Sequence, residues 1–169
     1  MTTQETNAPL RVDAIFTDFD GVLTDNKVYV DDAGRESVAC NRADGLAFDA
    51  LRKLCIPIRI LSTEKNPVVA ARAGKLKVPA IQGVADKLDT LLTICRDEGL
   101  ELERVMYVGN DLNDLLPMMR CGIRVCPADS HPRVLALANF PLATRGGEGV
   151  MREVVEELMQ FDLVKVLYS

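Results

Sequence analysis

The chain has 169 residues, of which 27% are charged and 48% hydrophobic, and its formal net charge is −5. That length fits one domain with a hydrophobic core, and the acidic balance argues against nucleic acid, which requires a basic surface. No apolar run approaches the length of a membrane span. Residues 1–10 are polar and lack the pattern of a signal peptide. We therefore expect a loose N-terminal tail over residues 1–10, one domain over residues 11–169 and a cytoplasmic protein.

Short apolar runs alternate with helix-like stretches along the chain. Six strands of one sheet are predicted, at residues 12–17, 57–61, 80–81, 105–108, 123–125 and 140–141. Helices are predicted at residues 44–54, 67–75, 86–99, 112–120, 132–138 and 150–166. This alternation is typical of an α/β fold with a doubly wound parallel sheet. Residues 27–30 and 35–40 predict a β-hairpin flap after the first strand, projecting over the carboxyl edge of the sheet.

Five cysteines are scattered through apolar stretches, and their number is odd: Cys40, Cys55, Cys95, Cys121 and Cys126. Cysteine is among the residue types most often buried, and cytosolic thiols stay reduced. The sequence therefore predicts buried, reduced thiols. The spacing of Cys121 and Cys126 does not match a zinc knuckle.

Two carboxylates one residue apart, Asp18 and Asp20, end the first predicted strand. Residues two apart on a strand share a face, so both side chains can converge on one group. Gly21 then lets the backbone turn sharply. Such a pair suits Mg²⁺ beside a phosphate, or chemistry in which one carboxylate attacks and the other moves a proton. A solvated turn is the alternative for an isolated pair.

Three further polar groups lie near the ends of predicted strands. Ser62 can donate its hydroxyl to a phosphate oxygen, or it can serve only as a cap or turn residue. Lys87 opens a helix, where a cation opposes the dipole. This position suggests a charge-neutralising role, and a solvated lysine is the alternative. Residues 109–114 (GNDLND) supply acidic and amide oxygens, or cap the next helix. Taken together with the Asp pair, these groups predict phosphoryl transfer.

In order and spacing, these residues resemble the four motifs of the haloacid dehalogenase superfamily of aspartyl-phosphate phosphatases. The resemblance implies a Rossmann-like fold, Asp18 as nucleophile, Asp20 as acid and base, and Mg²⁺ as cofactor. It implies that Ser62 and Lys87 hold the transferring phosphoryl group. The implied metal-ligating residues are Asp18, Asp20, Asn110, Asp111 and Asp114. The family usually has Asp at the position of Asn110, so one negative charge is missing here.

Too few residues separate the motifs to form a cap domain. The chain therefore resembles the capless branch with 3-deoxy-manno-octulosonate 8-phosphate phosphatases, nonulosonate (sialic acid type) 9-phosphate phosphatases and the C-terminal domain of sialic acid cytidylyltransferases. This resemblance implies a homotetramer in which neighbouring subunits complete each site. The residues that it implies for substrate binding are Glu64, Arg72, Lys75, Arg145, Gly146 and Gly147. The glycines would let the backbone reach an active site, expected to be a neighbour's.

Three alternatives bear on the function. Glu64 favours a nonulosonate 9-phosphate as substrate, because the octulosonate enzymes generally have Arg there; the octulosonate 8-phosphate is the second candidate. Asn110 leaves open a weakly active, tetramerising domain like the cytidylyltransferase appendage. A receiver domain of two-component signalling also combines an acidic pocket with Ser or Thr and Lys. It lacks the Asp-x-Asp-Gly turn on its first strand, which disfavours this alternative.

Overall fold

A computed structural model describes residues 10–169 of the chain. The eight strands within this range are β1 (Ala14–Thr17), β2 (Tyr29–Val30), β3 (Glu36–Ser37), β4 (Ile58–Leu61), β5 (Ala80–Ile81), β6 (Val105–Val108), β7 (Ile123–Cys126) and β8 (Phe140–Pro141). The α-helices are α1 (Ala43–Lys53), α2 (Val68–Leu76), α3 (Lys87–Glu98), α4 (Leu115–Arg120), α5 (Pro132–Leu137), α6 (Val150–Glu153) and α7 (Leu163–Tyr168). Short 3₁₀ helices occur at Leu102–Arg104 and Leu112–Asp114.

The central sheet is parallel throughout and has the strand order β5-β4-β1-β6-β7-β8. From β1 the chain moves outward to β4 and β5, and then returns to β6 on the other side of β1. The strand order therefore reverses beside β1. In open α/β sheets, ligands bind outside the carboxyl ends of the strands at such a switch point.

Two hydrophobic layers cover the sheet, and β1 contributes to both because its side chains alternate between the faces. Ile15 packs in the layer formed with α1, α2, α6 and α7. Ala14 and Phe16 pack in the layer formed with α3, α4 and α5. All of β1 is buried, as expected for a strand covered on both faces. The predicted α/β fold with a doubly wound parallel sheet is confirmed.

The hairpin flap is present but shorter than predicted. Strands β2 and β3 pair antiparallel over two residues each, and an isolated bridge joins Thr24 to Cys40 at the base. Between β1 and α1 the chain forms only this flap, so no cap domain is inserted there. The helix predicted at residues 112–120 begins as the 3₁₀ helix at Leu112–Asp114 and continues as α4.

The prediction of a single helix over residues 150–166 is wrong. Helix α6 passes into a π-helical turn at Val154–Leu158, and the backbone then turns at Gln160, whose φ is 59°. The Asp162 side chain accepts a hydrogen bond from Lys165 N and caps α7. The apolar pattern continues across this break because α6 and α7 bury their apolar residues in the same layer.

Other sequence expectations have mixed outcomes. Three cysteines are buried, but Cys40 is only half-buried and Cys55 is exposed where the backbone leaves α1 with φ 56°. The prediction that all five are buried is therefore wrong. Most of the predicted N-terminal tail lies outside the described residues, although Leu10 packs against the core. Within residues 10–169, no helix is long and apolar enough to cross a bilayer.

Candidate active site at the carboxyl edge of the sheet

The turn that follows β1, here called the nucleophile loop (residues 18–25), is held by local hydrogen bonds. Asp18 Oδ1 accepts from Phe19 N at 2.7 Å, and Thr24 Oγ1 accepts from Gly21 N at 3.1 Å. Gly21 has φ 77°, a conformation that favours glycine. Asp18 and Asp20 lie past the end of the strand. The turn, rather than strand alternation, therefore decides where the two carboxylates point.

The strand ends of β1, β4 and β6 surround a small polar cavity of about 90 Å³. Its lining residues are Asp18, Asp20, Asn26, Ser62, Thr63, Asn110, Asp111 and Asn113. A larger cavity of about 310 Å³ lies at the amino ends of β4 and β5, and no acidic side chain lines it. That cavity has the greater volume, but the smaller one contains the carboxylate, hydroxyl and amide groups that phosphoryl transfer needs.

A buried ionic cluster lies behind this cavity. Lys87 Nζ is 2.8 Å from Asp18 Oδ2 and 2.8 Å from Asp114 Oδ1. Tyr107, which is fully buried, donates its hydroxyl to Asp114 Oδ1 at 2.9 Å. Lys87 is only 4% exposed, so the solvated-lysine alternative is wrong. One cation thus serves two carboxylates, and the cluster has a surplus negative charge.

Burial and neighbouring carboxylates affect the protonation of Asp18 and Asp20 at the cavity. Burial, and then the Asp114 carboxylate, raise the pKa of Asp18 to about 7 against the lowering effect of Lys87. Burial, and then Glu64, also raise the pKa of Asp20. Burial lowers the pKa of Lys87, but its two carboxylate partners outweigh this and leave it raised. Lys87 therefore stays a cation, while Asp18 and Asp20 gain from a further positive charge nearby.

Asn110 is the residue whose environment indicates a cation. It is 7% exposed, and its Oδ1 is buried without a hydrogen-bond partner among residues 10–169. Buried polar oxygens are normally satisfied, and an amide oxygen is a ligand that Mg²⁺ accepts. Across the described residues, no group of three His, Cys, Asp or Glu side chains is arranged to hold a metal. The oxygens available here instead combine carboxylates with the amide of Asn110, and this set fits a hard divalent cation.

The two other acidic residues of this motif lie differently. Asp111 is exposed, lines the cavity and accepts from Leu112 N at 2.7 Å, so it also caps the following turn. Asp114 is fully buried and does not line the cavity. Its Oδ2 accepts from Asn110 N at 2.9 Å. As ligands, both stay predictions; the contacts of Asp114 are those of a residue that orients Lys87 and Asn110.

The residues predicted for substrate binding are not all near this cavity. Glu64 Oε1 accepts hydrogen bonds from Lys65 N and Asn66 N. After burial, the charge of Glu64 is the next cause that raises the pKa of Asp20. Arg72 and Lys75 line a separate cavity of about 260 Å³. Arg72 Nη2 donates to Asn41 O at 2.7 Å, while its Nε is buried without a partner within residues 10–169.

The predicted tail residues contact their own chain. Arg145 is exposed and lies 3.5 Å from Asp129 Oδ2. Gly146 N donates to Asp129 Oδ1 at 2.8 Å, and Gly147 N donates to Val22 O at 3.0 Å. The two glycines therefore pack behind the nucleophile loop of the same chain.

Sequence reasoning missed several residues that the fold brings to the site. Asn26, Thr63 and Asn113 line the cavity, and Thr24 fastens the nucleophile loop. Uncharged polar residues are ordinary in turns, so only their position directly after a motif could have marked them. Tyr107 lies on an apolar strand and gave no signal, because its hydroxyl acquires a partner only in the folded chain.

Comparison with known proteins agrees with this geometry. Residues 61–154 match the family model of haloacid dehalogenase-like hydrolases. The 3-deoxy-D-manno-octulosonate 8-phosphate phosphatase of Yersinia pestis is 31% identical over 146 residues, which cover 86% of this chain and 78% of that protein. A crystal structure of a protein from Streptomyces avermitilis described as a HAD family hydrolase is 44% identical, with a TM-score of 0.88, covering 90% of this chain and 88% of that one.

A third relative was crystallised with ligands. The 3-deoxy-D-manno-octulosonate 8-phosphate phosphatase of Moraxella catarrhalis, in complex with magnesium ion, phosphate ion and KDO, is 28% identical with a TM-score of 0.83. The alignment covers 93% of this chain and 88% of that one. The chain thus belongs to the haloacid dehalogenase-like hydrolases. Within them it falls in the capless branch of these octulosonate phosphatases, and it is an enzyme of the phosphatase class.

Proposed function

We propose that the protein is a Mg²⁺-dependent phosphomonoesterase acting on the phosphate ester of a sugar acid, with a nonulosonate 9-phosphate as the first candidate. The observation that carries the proposal is the polar cavity itself. Its lining includes Asp18, Asp20, Ser62 and Asn110, and the Asp18 carboxylate contacts buried Lys87. Asn110 Oδ1 has no hydrogen-bond partner within the described part of the chain. The printed names of the relatives support the sugar-phosphate class.

In the proposed reaction, an oxygen of Asp18 attacks phosphorus and the bond from phosphorus to the sugar oxygen breaks. Asp20 gives its proton to the departing alkoxide, and its raised pKa supports this role because it holds that proton closer to neutral pH. Asp20 then takes a proton from water, which attacks the aspartyl-phosphate and releases phosphate and the free Asp18 carboxylate.

The remaining groups orient and neutralise. Lys87 Nζ, at 2.8 Å from Asp18, and the Ser62 hydroxyl are suited to hold the oxygens of the phosphoryl group. Asp18, the backbone carbonyl of Asp20 and Asn110 would hold Mg²⁺, with Asp111 beside them. When bound, the ion offsets repulsion between the nucleophile and the phosphate.

The nature of the sugar rests on Glu64, which lies close enough to Asp20 to raise the pKa of that carboxyl. A carboxylate at this position suits hydroxyl and amide groups of a nonulosonate, since it accepts their hydrogen bonds. The octulosonate 8-phosphate is the second candidate, because the relatives of known name act on it. We further propose a cytoplasmic homotetramer in which neighbouring subunits complete each site. That arrangement would unite Arg72 and Lys75 with a nucleophile cavity that they do not line within one chain.

The proposal is tested by measuring phosphate release with Mg²⁺ from nonulosonate 9-phosphates, the octulosonate 8-phosphate and simple sugar phosphates. Asp18→Asn is expected to abolish turnover, and Asp20→Asn to reduce it by about 10²–10⁴-fold. Asp97→Asn makes the same chemical change at an exposed position on α3 and is expected to retain full activity. Retained activity in Asp18→Asn would exclude that residue as nucleophile. No turnover of any substrate by folded protein would favour the weakly active, tetramerising domain.

Selectivity is tested separately with Glu64→Gln. The Gln side-chain oxygen can still accept from Lys65 N and Asn66 N, so the local turn is retained while the charge is lost. We expect the ratio of nonulosonate to octulosonate turnover to fall by about tenfold or more, which corresponds to ~1.4 kcal/mol. An unchanged ratio would argue against a contact between Glu64 and the sugar.

A further inference from the structure

Two glycines near the C-terminus pack backbone against backbone on the nucleophile loop. Gly146 and Gly147 belong to the segment of residues 143–149, here called the tail loop. A Cβ on Gly146 would lie 2.2 Å from Gly21 O, and one on Gly147 would lie 2.4 Å from Asp25 N. Gly147 N donates to Val22 O at 3.0 Å. No side chain fits between the two loops, so the position of one fixes the position of the other.

The nucleophile loop also touches Asn110. A Cβ on Gly21 would lie 1.9 Å from Asn110 Nδ2. The Gly21 backbone therefore contacts both the tail loop and the Asn110 amide. The Oδ1 of this amide has no hydrogen-bond partner within residues 10–169. A shift of Gly21 away from Gly146 would displace this amide and the neighbouring peptide of Asp20.

The tail loop is itself anchored and can act as a rigid support. Asp129 Oδ1 accepts from Gly146 N at 2.8 Å. The two carboxylate oxygens of Glu153 accept from Ala143 N at 2.9 Å and Thr144 N at 2.7 Å. Glu153 lies on α6, so the first turn of this helix is linked to the tail loop through its side chain.

We propose that Gly146 and Gly147 are positioning residues that hold the Asp20–Gly21 peptide and the Asn110 amide where Mg²⁺ and the phosphate require them. This inference rests on the proposed function and gives the glycines a role other than contact with the sugar. As positioning residues, the glycines affect the affinity for Mg²⁺ and leave the affinity for the sugar phosphate nearly unchanged. If they contacted the substrate instead, their substitution would lower the affinity for the sugar phosphate.

Gly146→Ala is the decisive variant. A Cβ does not approach closer than about 3.0 Å, so Gly146 and Gly21 O must separate by about 0.8 Å. A misplacement of about 1 Å can cost on the order of 10²-fold in rate. We expect kcat to fall by that order while KM for the sugar phosphate changes little. The dissociation constant of Mg²⁺, measured by titration calorimetry without substrate, is expected to rise at least about tenfold.

Matched variants isolate the cause. Gly74→Ala makes the same change on α2. There a Cβ would meet no described atom within 4 Å beyond its chain neighbours and the backbone of its own helix, so kcat and Mg²⁺ affinity are expected to stay unchanged. Gly147 and Gly99 have φ 73° and 65°, but only Gly147 meets the nucleophile loop. Gly147→Ala is therefore expected to weaken Mg²⁺ binding, whereas Gly99→Ala has the same backbone strain without that effect.

The outcomes distinguish this inference from the proposed function. If Gly146→Ala does not fold, Asp129→Ala removes the acceptor of Gly146 N, and it is expected to weaken Mg²⁺ binding in the same direction. Wild-type Mg²⁺ affinity together with a raised KM in Gly146→Ala would overturn the inference and restore a substrate contact. Activity that survives Asp18→Asn would instead overturn the proposed function. In that case the Mg²⁺ affinities of Gly146→Ala and wild type, measured by calorimetry without substrate, would still test the inference.

Discussion

Lys87→Met removes the cation that contacts both Asp18 and Asp114. The Nζ atom is 2.8 Å from each carboxylate, and all three residues are at most 5% exposed. Met retains much of the length and apolar volume of the side chain, so the main change is the loss of charge. Two buried carboxylates would then face each other without a partner cation.

The expected loss of unfolding free energy is large for a single substitution. Removing one partner of a buried ion pair costs about 3–5 kcal/mol of unfolding free energy, because the remaining charge is left uncompensated. A domain of this kind has a total stability of roughly 5–15 kcal/mol. The variant should also show a pH dependence. Lys87 lowers the pKa of Asp18, so its removal raises that pKa above the wild-type value of about 7. As the pH falls from 8 to 6, Asp18 in the folded variant takes up a proton, and part of the lost unfolding free energy is recovered.

Urea unfolding followed by far-ultraviolet circular dichroism at pH 8 and pH 6 measures both effects. Lys165→Met is the matched control, because Lys165 makes an exposed pair with Asp162 at 3.5 Å and its side chain is 82% exposed. That control is expected to change stability by about 1 kcal/mol or less. A loss in Lys87→Met no larger than in Lys165→Met at pH 8 would refute the argument for a strongly coupled buried cluster.

Three further predictions follow from single contacts. Gly21→Ala adds a Cβ 1.9 Å from Asn110 Nδ2 at a residue with φ 77°. It should lower the unfolding free energy by more than Gly34→Ala, for which only backbone strain of ~1–2 kcal/mol is expected, because Gly34 has φ 74° but lies in open space. Equal losses of the two variants in urea unfolding would contradict this. Asn110→Asp adds a negative charge at Asn110 Oδ1, which has no hydrogen-bond partner within residues 10–169, and should lower the dissociation constant of Mg²⁺ by about tenfold or more in calorimetry. Unchanged Mg²⁺ affinity would exclude that oxygen as a ligand. Burial raises the pKa of Asp44 to about 6 from 3.8, so the folded state holds this proton more tightly and loses stability as the pH rises. Asp44→Asn is the reference variant, because its amide oxygen can still accept from Met151 N. Relative to it, the unfolding free energy of wild type should fall by up to about 3 kcal/mol between pH 4 and pH 7, and parallel pH profiles would disprove this.

Local patterns predicted the sheet well, because strands buried on both faces leave short, continuous apolar runs in the sequence. Strands β5, β6 and β8 have the bounds that the sequence indicates. The C-terminal helix was mispredicted for a related reason. Helices α6 and α7 bury apolar residues in the same layer, so the apolar pattern runs on across Gln160, where the backbone turns with φ 59°.

At the site, sequence determined which chemical groups are present and at which strand ends they lie. Asp18, Ser62 and Lys87 could be selected because their strand or helix positions, taken together, suit phosphoryl transfer. Only the tertiary structure decided how these groups are connected. It gave Lys87 two carboxylate partners and brought Gly146 against Gly21 from 125 positions along the chain. Within residues 10–169 it left Asn110 Oδ1 without a hydrogen-bond partner. The physical reason is that side-chain charge and backbone propensity are local properties, whereas desolvation and close approach depend on which distant segments the sheet brings together.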